Sequence, residues 1–180
     1  MKSVTAKGIQ DLYVLVFLCL KTREVIVTES TLNPDSAWVC EQTEWFVEQT
    51  KDRGKRPTLI MHDRDVKFTR DFTNTVKKCG LKTNPLPKGS PNLNGRCERV
   101  IETIKLECLA KFIVFGKRHM DYLISEFVTY YNTTRSHMAR ENFPPLRSKA
   151  PEEVEMLKLN DVVIRSHVGG LVRSFERKAA

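Results

Sequence analysis

The chain has 180 residues, 41% of them hydrophobic, which suits one domain with a sizeable core and an appendage and argues against a disordered chain. Its formal net charge of +8 fits a polyanionic partner, because each neutralised phosphate releases counterions, although basic proteins of many kinds share that balance. The five cysteines (19, 40, 79, 97, 108) contain no Cys-x-x-Cys and the four histidines (62, 119, 137, 167) no paired spacing, so neither a disulfide scaffold nor a zinc site is expected; the thiols read as small buried hydrophobes in a reducing, cytoplasmic setting.

In chain order, a hairpin turns near Lys7-Gly8. The nine-residue run Leu12 to Leu20 reads as one central buried strand, since it is far shorter than the about 20 residues that span a bilayer and has no features of a secretory signal. Lys21-Thr22-Arg23 makes a basic turn into a returning strand, Glu24 to Ser30. Asn33-Pro34-Asp35-Ser36-Ala37 starts a helix that is expected to reach about Gln49 and to bury Val39, Phe46 and Val47, with Trp38 and Trp45 as packing residues.

A basic loop, Lys51 to Pro57, leads to Thr58-Leu59-Ile60-Met61, a strand that ends in the charged turn His62-Asp63-Arg64-Asp65. Thr69 is placed to cap a short helix with Phe72, Val76 and Cys79 on one side and Gly80 closing it, before a last short strand over Leu81 to Asn84. Pro85 to Gly95, with three prolines and two glycines, predicts a mobile loop. The periodicity then predicts a helix from about Arg96 to about Ile113, with Cys97, Val100, Ile101, Ile104 and Cys108 inward and Glu98, Glu102 and Lys105 on a separate polar stripe. A second amphipathic helix is expected over Lys117 to Asn132, turning Leu123, Ile124, Phe127, Val128 and Tyr131 inward. Beyond Arg140, prolines punctuate a loop, Pro151-Glu152-Glu153-Val154 opens a further helical turn or two, and Asp161 to Lys178 forms a basic tail with a small β-hairpin at Val162-Val163-Ile164 and Gly169-Gly170.

Asp63 is the first acid beyond a strand end, where α/β folds gather their chemistry, and Glu98 follows it by 98 − 63 = 35 residues on a helix. A polar stripe on a surface helix needs no function. Two carboxylates presented in this way are nevertheless the hard oxygen donors that Mg²⁺ takes from protein, and paired ions clamp both oxygens of an in-line phosphoryl displacement.

Three segments carry a resemblance: His62-Asp63-Arg64-Asp65-Val66-Lys67-Phe68, Ser90-Pro91-Asn92-Leu93-Asn94-Gly95-Arg96-Cys97-Glu98, and Tyr131-Asn132-Thr133-Thr134-Arg135-Ser136-His137. With their order and spacing they resemble the catalytic core of the retroviral integrase and insertion-sequence transposase superfamily, whose members carry an Asp, Asp, Glu triad. The resemblance implies an α/β fold: a ribonuclease H-like mixed sheet flanked by helices, with residues 1–140 as core and 141–180 as linker and short basic β-containing appendage. It assigns Asp63 and Glu98 as catalytic residues and ligands of Mg²⁺ or Mn²⁺ in a two-ion site. It also assigns DNA contacts to Lys105, Asn94, Gly95, Arg96 and Lys88, and a mainly structural role to the Tyr131 to His137 signature. The implied reaction is metal-dependent nicking and strand transfer on element ends and target DNA by a homo-oligomer, without a membrane or a small-molecule cofactor.

The pattern departs from the family at two places. Matching the first hairpin leaves Met1 already past the first triad Asp, and Met1 to Ala6 hold no acid, so the expectation is an inactive or impaired fragment. Asp11 is the nearest acid but opens the second strand, and Asp65 is either a turn residue or a spare ligand. A non-catalytic DNA-binding protein of the same fold and a ribonuclease H-type nuclease are the alternatives.

Overall fold

The computed structural model describes residues 1–87, 91–147 and 158–178. Strands β1 (Lys2–Thr5) and β2 (Gly8–Asp11) form the expected hairpin, with Val4 opposite Ile9 and Gly8 at φ +97 in the turn. Asp11 pairs with Lys2 and so closes β2 rather than opening it.

The run from Leu12 to Leu20 is not one central buried strand. Only β3 (Val16–Leu18) is laddered, antiparallel to β4 (Val25–Val27), with an isolated Tyr13–Thr31 bridge before it. Between those pairings residues 14–15 face 28–30, and the extra residue on one side is a β-bulge. The Thr28 hydroxyl fills the gap by accepting from the Leu15 amide at 3.0 Å, so the backbone bends while its groups stay paired. Leu12 is buried, whereas β3 is half-buried.

Helix α1 runs over Ser36–Asp52, one turn further than the periodicity predicts, with the Asp35 carboxylate capping it by accepting from the Trp38 amide at 2.8 Å. Val39 and Val47 are buried as expected; Phe46 is half-buried and stacks on Phe17 at 4.0 Å. Strand β5 (Leu59–His62) lies parallel to β6 (Lys82–Pro85), and α2 (Arg70–Lys78) crosses between them. Gly80, at φ +73, donates to Lys77 while Leu81 donates to Val76, a Schellman closure that turns α2 straight into β6. Thr69 holds the N-cap position of α2 without a capping bond, because its hydroxyl is paired with Ser36 at 2.7 Å.

Helix α3 (Pro91–Thr103) starts earlier than expected, so Asn94 and Gly95 belong to the helix and not to a loop. Proline suits a first helical position because the amide it lacks would have no intrahelical partner there. At its far end α3 widens into a π turn over Ile104–Cys108 and closes in a 3₁₀ turn over Leu109–Lys111, which keeps Ile104, Cys108 and Leu109 all buried where a regular helix would rotate one outward. Helix α4 (Gly116–Thr133) buries Met120, Leu123, Ile124, Phe127 and Tyr131, and Val128 is half-buried. Strands β7 (Val162–His167) and β8 (Val172–Arg177) make the expected terminal hairpin. The helical turn expected at Pro151 lies outside the described residues.

The fold is mixed α/β, with helices over small sheets. Among the described residues the strands are joined as four pairs, three antiparallel and one parallel, and not as one continuous sheet. One reason is visible at β1, whose outer edge is taken by the segment before α4: the Val4 amide donates to Val114 at 2.8 Å, and the Ser3 hydroxyl donates to the same carbonyl and accepts from the Gly116 amide. Two apolar clusters result. One joins β3, β4, α3 and α4, and the other packs α1 on α2 with Phe72, Val76 and Leu81.

Candidate active site

The turn after β5 is built almost wholly by local polar groups. Asp63 accepts from the Asp65 amide at 3.0 Å, and Asp65 accepts in turn from the Lys67 amide at 2.9 Å and from its ammonium at 3.1 Å. The His62 ring lies against Phe68 and Phe72, with centroids 4.6 and 5.0 Å away, and the Arg64 guanidinium donates to the Leu86 carbonyl at 2.8 Å. Asp63 is thereby held exposed at the strand end, on a turn tied to both β6 and α2. Of the two roles open to Asp65, the geometry gives it the turn: the amide and ammonium of Lys67 hold its carboxyl below the usual range.

Glu98 lies about two turns into α3, exposed, and accepts at Oε1 from the Asn94 carboxamide at 3.3 Å. The two acids meet electrostatically at Cys97. Burial raises that thiol's pKa first, and the negative charges of Asp63 and Glu98 raise it further, so the strand end and this turn of α3 share one neighbourhood. Neither Asn94 nor Cys97 was legible as part of that arrangement, although the i, i+4 spacing of Asn94 and Glu98 is the usable signal.

Among the described residues no group of three or more His, Cys, Asp or Glu side chains is disposed to hold a metal ion, so neither Asp11 nor Asp65 completes a triad. The exposed carboxylate pair still fits the donor chemistry of Mg²⁺, which takes one or two protein carboxylates and keeps several waters. Around it, Gly95 is half-buried with nothing among the described residues within 4 Å of where a Cβ would stand, Arg96 is exposed, and Lys105 is exposed at the start of the π turn. Arg99 approaches Glu102 at 3.9 Å. Lys88 lies outside the described residues.

The Tyr131 to His137 signature acts as a clasp. The Asn132 carboxamide accepts from the Val25 amide at 2.9 Å and donates to the Val25 carbonyl at 2.7 Å, occupying the edge of β4 as a neighbouring strand would. Arg135 holds Glu107 by two bonds of 2.7 and 3.0 Å, and His137 packs edge-on against Tyr131 at 4.6 Å. These contacts fix α4 to β4 and to the widened end of α3, and so fix the frame of Glu98.

Residues 79–145 match the family described as Integrase core domain, a span that includes Glu98 and the clasp but not Asp63. By this match, over 67 of its 180 residues, the chain resembles an integrase core. Its fold is similar to that of a chain in the cryoEM structure of the simian T-cell lymphotropic virus intasome in complex with PP2A regulatory subunit B56 gamma, at TM-score 0.63 and 12% identity over 91% of this chain and 59% of that one. It is also similar to the catalytic core domain of BIV integrase, at TM-score 0.58 and 15% identity over 81% of this chain and 87% of that one. The chain thus spans about three fifths of the intasome chain, 59% of its length, and most of the BIV core. No curated protein matches it significantly. No helix among the described residues is long and apolar enough to cross a membrane.

Proposed function

We propose that the chain is an integrase-like core that acts on DNA by divalent-cation-dependent phosphoryl transfer, nicking a strand and joining its end to another, with Asp63 and Glu98 as the cation's protein ligands. What supports this reading is that Asp63 stands exposed at the end of β5 and Glu98 exposed on α3, both near enough to Cys97 for their charges to act on its thiol, in a chain whose residues 79–145 match the Integrase core domain family. A bound Mg²⁺ or Mn²⁺ would supply charge stabilisation for the attacking and departing oxygens. The chain's own part is to hold the two carboxylates on braced elements, Asp63 through the Asp65 amide and Glu98 through Asn94. Arg96, Lys105 and Lys88 would neutralise DNA phosphates, and the open space at Gly95 would let a strand approach the helix backbone. DNA and further copies of the chain are the partners this reading requires.

With two such carboxylates and no third beside them among the described residues, cation binding is expected to be weak and turnover slow. That same observation favours a second reading, a DNA-binding protein of this fold without catalysis. Mn²⁺-dependent nicking of supercoiled plasmid separates them. The first reading expects slow nicking lost in both Asp63→Asn and Glu98→Gln with DNA binding retained. Nicking that survives Glu98→Gln would remove the carboxylate assignment, and salt-sensitive DNA binding without nicking at any Mn²⁺ concentration would establish the second reading.

A further inference from the structure

The β7–β8 hairpin has two unlike faces. One is turned to the core: the His167 ring lies 5.1 Å from that of Tyr130 on α4 and contacts the buried Ser174 hydroxyl at 2.8 Å. Arg165 pairs with Glu176 on this same side, at 2.6 Å. Side chains alternate along a strand, so the pairing register puts Val162, Ile164 and Ser166 with Arg173, Phe175 and Arg177 on the opposite, outward face. Ile164 and Phe175 are direct cross-strand partners and are 58% and 69% exposed. Arg173 and Arg177 stand two residues to either side of Phe175, both exposed, and the register places no carboxylate on this face. Among the described residues neither arginine has an ion-pair partner.

A duplex would meet this face with phosphates and groove edges, its base faces being stacked inside the helix and out of reach of a ring unless the stack is opened. An unpaired strand offers phosphates and exposed base faces together, and an aromatic ring between cations is the arrangement that holds one without regard to sequence. We infer that the outward face of the β7–β8 hairpin binds single-stranded DNA, a base stacking on Phe175 beside Ile164 while Arg173 and Arg177 take the flanking phosphates. The inference rests on DNA as the partner but not on the Asp63 and Glu98 pair.

The test is fluorescence anisotropy on the whole chain with a labelled oligothymidine of about 15 nucleotides, a duplex of the same length, and vesicles of anionic lipid. Single strand is expected to bind more tightly than duplex. Phe175→Ala should weaken the single strand roughly tenfold and the duplex less than about twofold. Arg173→Ala with Arg177→Ala should weaken both and flatten the salt dependence. Single-strand affinity indifferent to Phe175→Ala would overturn the inference alone, as would preferred binding to vesicles. Loss of all DNA binding in the parent would overturn it together with the proposed function.

Discussion

At the scale of single residues, Asn132 shows how a polar side chain can specify a fold more sharply than a hydrophobic one. It is buried, and both ends of its carboxamide pair with the backbone of Val25, 107 positions earlier in the chain. Replacing it by alanine removes two bonds and leaves a buried amide and carbonyl unpaired. Net hydrogen-bond and desolvation terms together put the cost at about 2–4 kcal/mol. Urea unfolding of Asn132→Ala should show that loss as a lower midpoint with an unchanged slope; a loss below about 0.5 kcal/mol would mean that water replaces the carboxamide. The sequence marks Asn132 as part of a structural signature, but the partner is invisible there, because a backbone edge has no side-chain identity to read. Asp63 is the contrary case: strand formers ending abruptly in an acid made its position legible, since the governing pattern is local.

At the scale of elements, the helices were read well where an apolar period governed them and poorly where local backbone chemistry did. Helix α4 and the α2–β6 closure at Gly80 follow the pattern. Helix α3 starts early because Pro91 and the Asn94–Glu98 contact support helix through a stretch that reads as loop from its prolines and glycines. Its far end widens because consecutive buried residues, Cys108 and Leu109, must both face the core. The clasp at the end of α4 carries a pH dependence. Burial depresses the His137 pKa below its ordinary 6.5, and Arg135, Arg140 and Arg23 add to this, against the contact with the Tyr131 carbonyl. A histidine whose folded pKa is depressed takes up its proton more readily when unfolded, so stability rises with pH across the interval. The contribution is complete above 6.5 and is lost as the pH falls through the folded value. Unfolding free energy should therefore drop as the pH falls below 6.5, and His137→Phe, which keeps a ring against Tyr131, should flatten that drop. An unchanged slope in the variant would place the titration elsewhere.

At the scale of the whole molecule, composition and charge suggest one main body with a basic appendage and say nothing of how the appendage is held. The stretch His167-Val168-Gly169-Gly170 reads as a plain hairpin turn, yet Val168 is fully buried in the cluster formed by β3, β4, α3 and α4. It does so at φ +53, a left-handed conformation that a β-branched residue adopts only where the surroundings compel it. The β-branch suits neither the turn nor its backbone, so burial must supply what holds it there. Val168→Asp would place a charge in that cluster, and the hairpin should leave α4 sooner than keep it buried. The division expected near residue 140 then makes a definite statement about hydrogen exchange. Amides of β7 and β8 should lose protection in Val168→Asp, those of α4 facing the hairpin should lose part of theirs, and the separate α1–α2 cluster around Phe72 and Val76 should keep its own. Loss spread evenly over both clusters would show that residues 1–140 do not hold together without the hairpin, and the outward face of β7 and β8 would then belong to one cooperative unit with the carboxylate pair.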